Sequence, residues 1–310
     1  MYLFDLHCDT VVEICREKLG LANNTTQLSI DRLAQDTCWC QCYAIFMPDE
    51  YRGQAAIDYF QRHHGYFLRQ MEKYQEQICQ VVSVKELDKA YACGKFAAML
   101  TVEGGSVLAG DLSRIELLSK LGVKMMTLTW NGENEIGSGN STDHGLTPFG
   151  EEVISEMERN RIVIDVSHLN EAGFWQAAKI AKYPMAASHS NCRAVWDHPR
   201  NLRDDQIRYI IQTGGIVGLN FYIGFINGQQ NPKPQDLLKH VEHFLELGGE
   251  NTLALGSDYD GADMPAWLDS VEKVQQLYRL MAFEFGRATT DKIFYDNAYH
   301  FFEKYEEAVG

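Results

Sequence analysis

Apolar and polar positions along the chain follow a two-part rhythm. Eight short segments rich in β-formers recur, each followed by a longer stretch: Tyr2–Asp9, Trp39–Pro48, Phe96–Gly104, Lys124–Trp130, Arg161–His168, Pro184–Ser190, Gly214–Tyr222 and Thr252–Asp260. Several of them (MMTLTW, RIVIDVS, GGIVGLNFY) are apolar on both faces, the pattern of parallel strands covered on both sides. The intervening stretches carry helical spacing: Phe60, Phe67, Met71, Tyr74 and Ile78 line one face of the first long one, and Leu237, Val241, Phe244, Leu245 and Gly248 do so late in the chain. Eight βα units without a Pro-, Ser- or Gly-rich linker predict an α/β fold, a single (β/α)8 barrel domain over residues 1–310. An open doubly wound sheet would carry a phosphate-binding glycine fingerprint after its first strand, and DLHCDT has none.

Composition narrows the class. The 310 residues carry a net charge of -15, which argues against nucleic acid and anionic membranes as partners, since both are bound by clustered Lys and Arg. The start, MYLFDLHCDT, has no basic segment followed by an apolar run and a cleavage site, so no secretory signal is read there. No uncharged apolar run approaches the ~20 residues that span a bilayer. A cytoplasmic protein is expected, and in that compartment its eight cysteines should be reduced thiols. Cys38, Cys40 and Cys42 alternate along CWCQCYAIF with no partner CxxC, which fits one face of a strand better than a metal site. The Gly- and Asn-rich stretch Asn131–Pro148 is the longest poorly patterned one, and loops of that length are usually functional or mobile.

The candidate chemistry sits at the strand ends. The first strand ends in His7 and Asp9, the third in Glu103, the fifth in His168, the sixth in His189 and the eighth in Asp258. Those are the ends that build barrel active sites, and imidazole with carboxylate is the ligand mix of zinc and similar ions. His7 and Asp9, two apart on a strand, should point to the same side, into the mouth. A single strand-end His is more often a packed residue than a ligand. Six such groups on one end of one barrel are another matter, and Glu103 in an apolar strand would be costly without a cation. Three His and two carboxylates exceed one tetrahedral metal, whereas a bridging carboxylate would employ them all. By contrast, His63–His64 and His240/His243 fall on predicted outer helices and are expected to be solvated or helix-packing. His198, after the sixth strand, could support the site, and His144 in the Asn131–Pro148 loop could approach substrate. Asp260 either orients Asp258 or stabilises the turn into Gly261.

Taken in order, DLHCDT, TVEGG, IDVSHLN, ASHSNCRAVWDHPRNLRDDQI and LGSDYDG resemble the membrane dipeptidase family of the amidohydrolase superfamily, from residue 5 to about residue 261. The segment from Ser188 to Asp205 is the most specific. The resemblance implies two zinc ions, one held by His7 and Asp9, the other by His168 and His189, with Glu103 bridging. It implies Asp258 as the acid/base carboxylate and Arg200 as the clamp on the substrate's terminal carboxylate. Arg193 is a weaker candidate for that clamp.

Three departures stand out. Where relatives end the fourth strand in a substrate-contacting His, LTLTWNGEN places Trp130. Indole has one donor and no acceptor, so Trp130 could form an apolar wall while His144 or Asn131 supplies the hydrogen bond. Cys8 stands where relatives often have Asn, with its side chain expected to point away from the metals. The secretion signal and lipid anchor of the animal enzymes are not seen. The leading expectation is a zinc dipeptidase acting on small dipeptides, including those with a C-terminal D-residue. Two alternatives stay open: an amidohydrolase acting on another small amide or lactone, and a non-catalytic metal-containing binding protein. A homodimer, common among such barrels, is kept as an assembly to test.

Overall fold

The computed structural model describes residues 1–33 and 37–309. Nine strands form one parallel sheet: β1 (Tyr2–Cys8), β2 (Cys38–Phe46), β3 (Ile78–Gln80), β4 (Phe96–Glu103), β5 (Val123–Thr127), β6 (Val163–Asp165), β7 (Ala186–Ala187), β8 (Ile216–Leu219) and β9 (Leu253–Leu255). Eight of them close a barrel in the order β1, β2, β4, β5, β6, β7, β8, β9, with β9 returning to β1. The predicted (β/α)8 barrel is therefore the observed fold. The ninth strand, β3, was not expected. It pairs with Phe96–Ala98 at the start of β4, just before β5 takes over that edge at Leu100. Ile78, assigned from its spacing to the preceding helix, begins this strand instead. The helix Gly53–Lys73 stops short of it.

Both faces of the strands are apolar because each has its own core. The lumen is filled by Phe4, Leu6, Cys40, Cys42, Ala97, Met99, Met125, Val163, Ala186, Ile216 and Ala254. Large residues from some strands share the layer with alanines from others, the mix of sizes by which barrel interiors are filled. The C-terminal helix Asn297–Val309 packs Ala298, Phe301, Phe302 and Tyr305 into the same cluster, with Phe4 stacked on Phe302 at 5.4 Å. It plugs one end of the lumen and leaves the other for polar groups. The outer faces (Leu3, Tyr43, Ile45, Leu100, Val102, Met126 and Ile164) pack with Phe60, Phe67, Met157 and Phe174 of the surrounding helices. All eight cysteines are free thiols, and Cys40 and Cys42 lie in the lumen layer as strand residues.

Three of the helical histidines, His63, His64 and His240, pack rather than meet solvent, while His243 is partly buried and paired with Asp204. His63 and His64 are buried on the Gly53–Lys73 helix, with His63 Nδ1 donating to the Tyr59 carbonyl at 2.8 Å. His240 is fully buried on the helix Pro234–Glu246. Its Nδ1 accepts the Cys192 amide at 3.1 Å and its Nε2–H donates to the Ile226 carbonyl at 2.8 Å. The ring thereby ties the helix to the segment after β7. Burial pushes its pKa down to about 4. Between roughly pH 6.5 and 4 the unfolded chain takes up this proton and the folded one does not, so stability contributed by neutral His240 is complete above pH 6.5 and lost as pH falls towards 4. The expected loss is ~3 kcal/mol. Urea titrations across that range should show it in the wild type, with a shallower slope in His240→Leu.

Candidate active site

At the open end of the barrel, the strand-end residues converge. A register shift in β1 makes this possible. Phe4 and Leu6 face the lumen and Leu3 the outer core, so strict alternation would turn His7 outward. Between Asp5 and Cys8, however, β1 advances three residues while β2 advances two, from Gln41 to Tyr43. This bulge resets the parity, turning His7 to the mouth and sending the Cys8 side chain into the outer core. The Asp5 carboxylate accepts the His7 amide at 3.3 Å and the Ser257 amide at 2.9 Å, pinning the bulge to the chain that leads to Asp258. Asp9 follows the strand, and its Oδ2 lies against Gly261, where a Cβ would come within 2.0 Å.

His7 Nε2 lies 3.4 Å from Glu103 Oε2, 3.5 Å from Asp9 Oδ2 and 3.7 Å from Asp258 Oδ1. The other Glu103 oxygen, Oε1, is 2.8 Å from His168 Nε2 and 3.5 Å from His189 Nε2. Glu103 therefore stands between two groups, one oxygen towards each. All these side chains are buried, and His7 Nε2 and Asp9 Oδ1 have no hydrogen-bond partner among the described residues. Three overlapping sets have donor atoms close enough to share an ion: His7 with Asp9 and Glu103, Glu103 with His168 and His189, and His7 with His189 and Asp258.

The hydrogen bonds behind the imidazoles set their tautomers. His168 Nδ1 is 2.9 Å from Asn131 Oδ1, which also accepts from Asn140 Nδ2, so Nδ1 carries the proton. His189 Nδ1 is 2.8 Å from Ser188 Oγ, whose own proton goes to Asp165. Asp165 also accepts from Thr127 Oγ1 and the Ser167 and Ser188 amides. The Nδ1 of His189 is therefore also the donor. Both Nε2 atoms are left as bare lone pairs facing each other at 2.9 Å, with a carboxylate oxygen alongside. Such an arrangement is repulsive unless a cation lies among them. Burial keeps both rings neutral, pushing His168 down to about 4 and His189 well below the usual histidine range. On the other side, burial and the Glu103 charge push Asp9 up to about 7. Burial disfavours charge on His7, but Glu103 and Asp9 outweigh it and raise its pKa. The donor set fits metal ions.

The remaining groups flank this centre. His168 and Asp258 both have left-handed backbones, with φ of 67°, a region few non-glycine residues adopt and one found at functional sites. Asp258 Oδ2 accepts Asn220 Nδ2 at 3.0 Å, and burial raises its pKa. Arg200 is buried, its Nη2 donating to the His189 carbonyl at 3.3 Å and its guanidinium lying 5.1 Å from the Phe225 ring. Its Nε lacks a partner, and no carboxylate lies within 4.0 Å of it among the described residues. His198 supports it by accepting the Arg200 amide at 3.1 Å. Arg193 instead binds the carbonyls of His198 and Pro199. Asp260 takes the amides of Gln27 and Leu28 and the Thr10 hydroxyl, holding that turn rather than Asp258. Trp130 lies beside the centre, 6.3 Å from the His168 ring. His144 stands outside the cluster, 85% exposed and paired with Glu133. Of the supporting residues, sequence reading raised Asn131 only as a substitute hydrogen bonder; Ser188, Asp165, Asn220 and Asp5 were not singled out, because the contacts that fix their roles (Ser188 to Asp165, Asn220 to Asp258, Asp5 to Ser257) join residues distant in the chain.

Fold and site together define a metal-dependent hydrolase of the barrel type. A family model described as membrane dipeptidase, peptidase family M19, matches residues 1–309. The chain belongs to that family of metallopeptidases and is a peptide-bond hydrolase. Among solved structures, a metallopeptidase from Rhodobacter sphaeroides, liganded with a phosphinate mimic of the dipeptide L-Ala-D-Ala, superposes with a TM-score of 0.93. It is 25% identical, covering 98% of this chain and 99% of that one. An uncharacterized Klebsiella pneumoniae protein in the pqqA 5' region is 31% identical, over 70% of this chain and 84% of its own length. An uncharacterized dipeptidase of Schizosaccharomyces pombe is 33% identical over 63% of this chain, a match spanning about half (49%) of that relative. No helix among the described residues is long and apolar enough to cross a membrane.

Proposed function

We propose that this chain is a dipeptidase that works with two zinc ions. His7 and Asp9 hold one, His168 and His189 the other, and Glu103 bridges them. The observation that carries this reading is the pair of bare imidazole nitrogens facing each other at 2.9 Å against Glu103, with both Nδ1 protons committed elsewhere. The dipeptide mimic bound by the Rhodobacter structure supports the substrate class and the inclusion of a C-terminal D-residue.

When bound, such a metal pair polarises the scissile carbonyl and makes water nucleophilic at neutral pH. Arg200, a buried guanidinium without a carboxylate partner, receives the substrate's terminal carboxylate through its planar fork. That contact fixes the peptide's direction across the mouth. Asp258, held by Asn220 and raised by burial, takes the proton of the attacking water and returns it to the departing amine. Asn131 and Ser188 keep the Nε2 atoms of His168 and His189 free to bind metal. Asn131→Ala and Ser188→Ala should each weaken zinc affinity by about 10–100-fold, read by competition with a chromophoric chelator. Unchanged affinity in both would remove them from this role.

The reading is tested by hydrolysis of L-Ala-L-Ala and L-Ala-D-Ala by the zinc-loaded protein. Turnover that vanishes with chelation and returns with zinc is expected. Hydrolysis of small cyclic amides or lactones without any cleavage of dipeptides would replace it.

A further inference from the structure

Two large aromatic side chains at the mouth belong to neither apolar core. Phe46 and Trp130 are half-buried and join neither the lumen cluster nor the outer one. They pack on each other instead, with ring centres 4.8 Å apart in an edge-to-face arrangement, and Trp130 leans on His168. Phe46 is the last residue of β2, in register with Glu103 on β4. It shares the inward parity of Cys40 and Cys42, so it faces the mouth beside the proposed bridging carboxylate.

The wall is built, not incidental. Asp49, just beyond β2, accepts the Gly132 amide at 2.8 Å, and Arg52 donates to the Glu133 carbonyl, so the loops carrying the two rings are tied together. Behind Trp130 the chain doubles back so closely that a Cβ on Gly139 would come within 2.0 Å of the Trp130 carbonyl. A preorganised apolar surface left half-exposed next to metal-ligand chemistry marks a place where a ligand packs.

Barrel order says which part of the substrate reaches it. Around the ring of eight, β2 lies four strands from β7 in either direction. Arg200 contacts the end of β7 through the His189 carbonyl and leans on Phe225 beyond β8. Phe46 thus lies across the mouth from the end of β7, and the wall runs from it to Trp130 beyond β5, two strands short of β7, on the side of the mouth away from Phe225. A dipeptide whose carboxylate sits on Arg200 and whose scissile carbonyl sits over the centre turns its N-terminal side chain to this wall.

We propose that Phe46 and Trp130 form a subsite for the side chain of the substrate's N-terminal residue, selecting bulky apolar or aromatic residues over glycine. This rests on the dipeptidase reading above. The test compares kcat/KM for Phe-Ala, Leu-Ala and Gly-Ala in the zinc-loaded wild type, Trp130→Ala and Phe46→Ala, with Ala-Phe and Ala-Gly reporting on the other residue. The wild type should favour Phe-Ala and Leu-Ala over Gly-Ala by at least about 10-fold, and each variant should cut that ratio about 10-fold. The Ala-Phe to Ala-Gly ratio should be left as in the wild type. Should one variant fail to fold, the other and Trp130→Phe carry the comparison. Absence of N-terminal preference in the wild type, or variants that alter both ratios equally, would overturn the subsite. Failure of the zinc-loaded wild type to cleave any dipeptide would overturn the dipeptidase reading and the subsite with it.

Discussion

Replacing Asp258 with Asn is expected to lower kcat by about 10²–10⁴-fold, the usual contribution of a positioned acid/base group, while zinc content stays at the wild-type level. The substitution keeps the size of the side chain. The amide can still present an oxygen to Asn220 Nδ2, and the left-handed backbone at this position is one that Asn tolerates well. What it removes is the ability to take and return a proton. Because the residue also stands 3.7 Å from His7 Nε2, metal analysis must accompany the kinetics. Zinc lost along with activity would make Asp258 a ligand instead, and unchanged turnover would end its assignment altogether.

The second large effect is expected at Arg200. Removing one partner of a buried charge pair costs about 2–5 kcal/mol, so Arg200→Ala should lose roughly 10²–10³-fold in kcat/KM on free dipeptides. A dipeptide amide separates charge recognition from damage to the site. The wild type should discriminate strongly against the amide, and the variant should treat acid and amide nearly alike. Equal losses on both substrates would mean that Arg200, which also holds the His189 carbonyl, acts on the architecture and not on the carboxylate. Arg200→Lys should not rescue discrimination fully, because an ammonium lacks the planar fork.

Much of this was legible in the sequence. The alternation of strand-like and helix-like segments announced the barrel, and the order of strand-end His, Asp and Glu residues announced the cluster that His7, Asp9, Glu103, His168, His189 and Asp258 form. The reasoning for His7 and Asp9 was incomplete. Simple alternation from Phe4 would have turned His7 outward, and the bulge held by Asp5 is what brings it round. Strand ends were read too long: the fifth and sixth segments keep only Val163–Asp165 and Ala186–Ala187 as strand. His7 and Glu103 are strand residues, whereas Asp9, His168, His189 and Asp258 lie just beyond the ends of their strands, where the chain is free to turn, as the positive φ of His168 and Asp258 shows. β3 was missed because three residues are too few for a periodic signal. His240 was expected on an outer helix, solvated or packing, and it packs; its partners, Cys192 and Ile226, could not be named because they are distant in sequence. The same holds for Asn131, Ser188, Asp165 and Asn220, whose hydrogen bonds exist only once the barrel closes.

The central claim, two metals at one centre for dipeptide cleavage, is met most directly by metal titration of chelated protein with activity followed in the same sample. The account predicts binding of two zinc ions per chain, with turnover of L-Ala-L-Ala and L-Ala-D-Ala appearing as the second site fills. Full activity with a single equivalent bound, or two equivalents bound with no dipeptide cleaved, would contradict it.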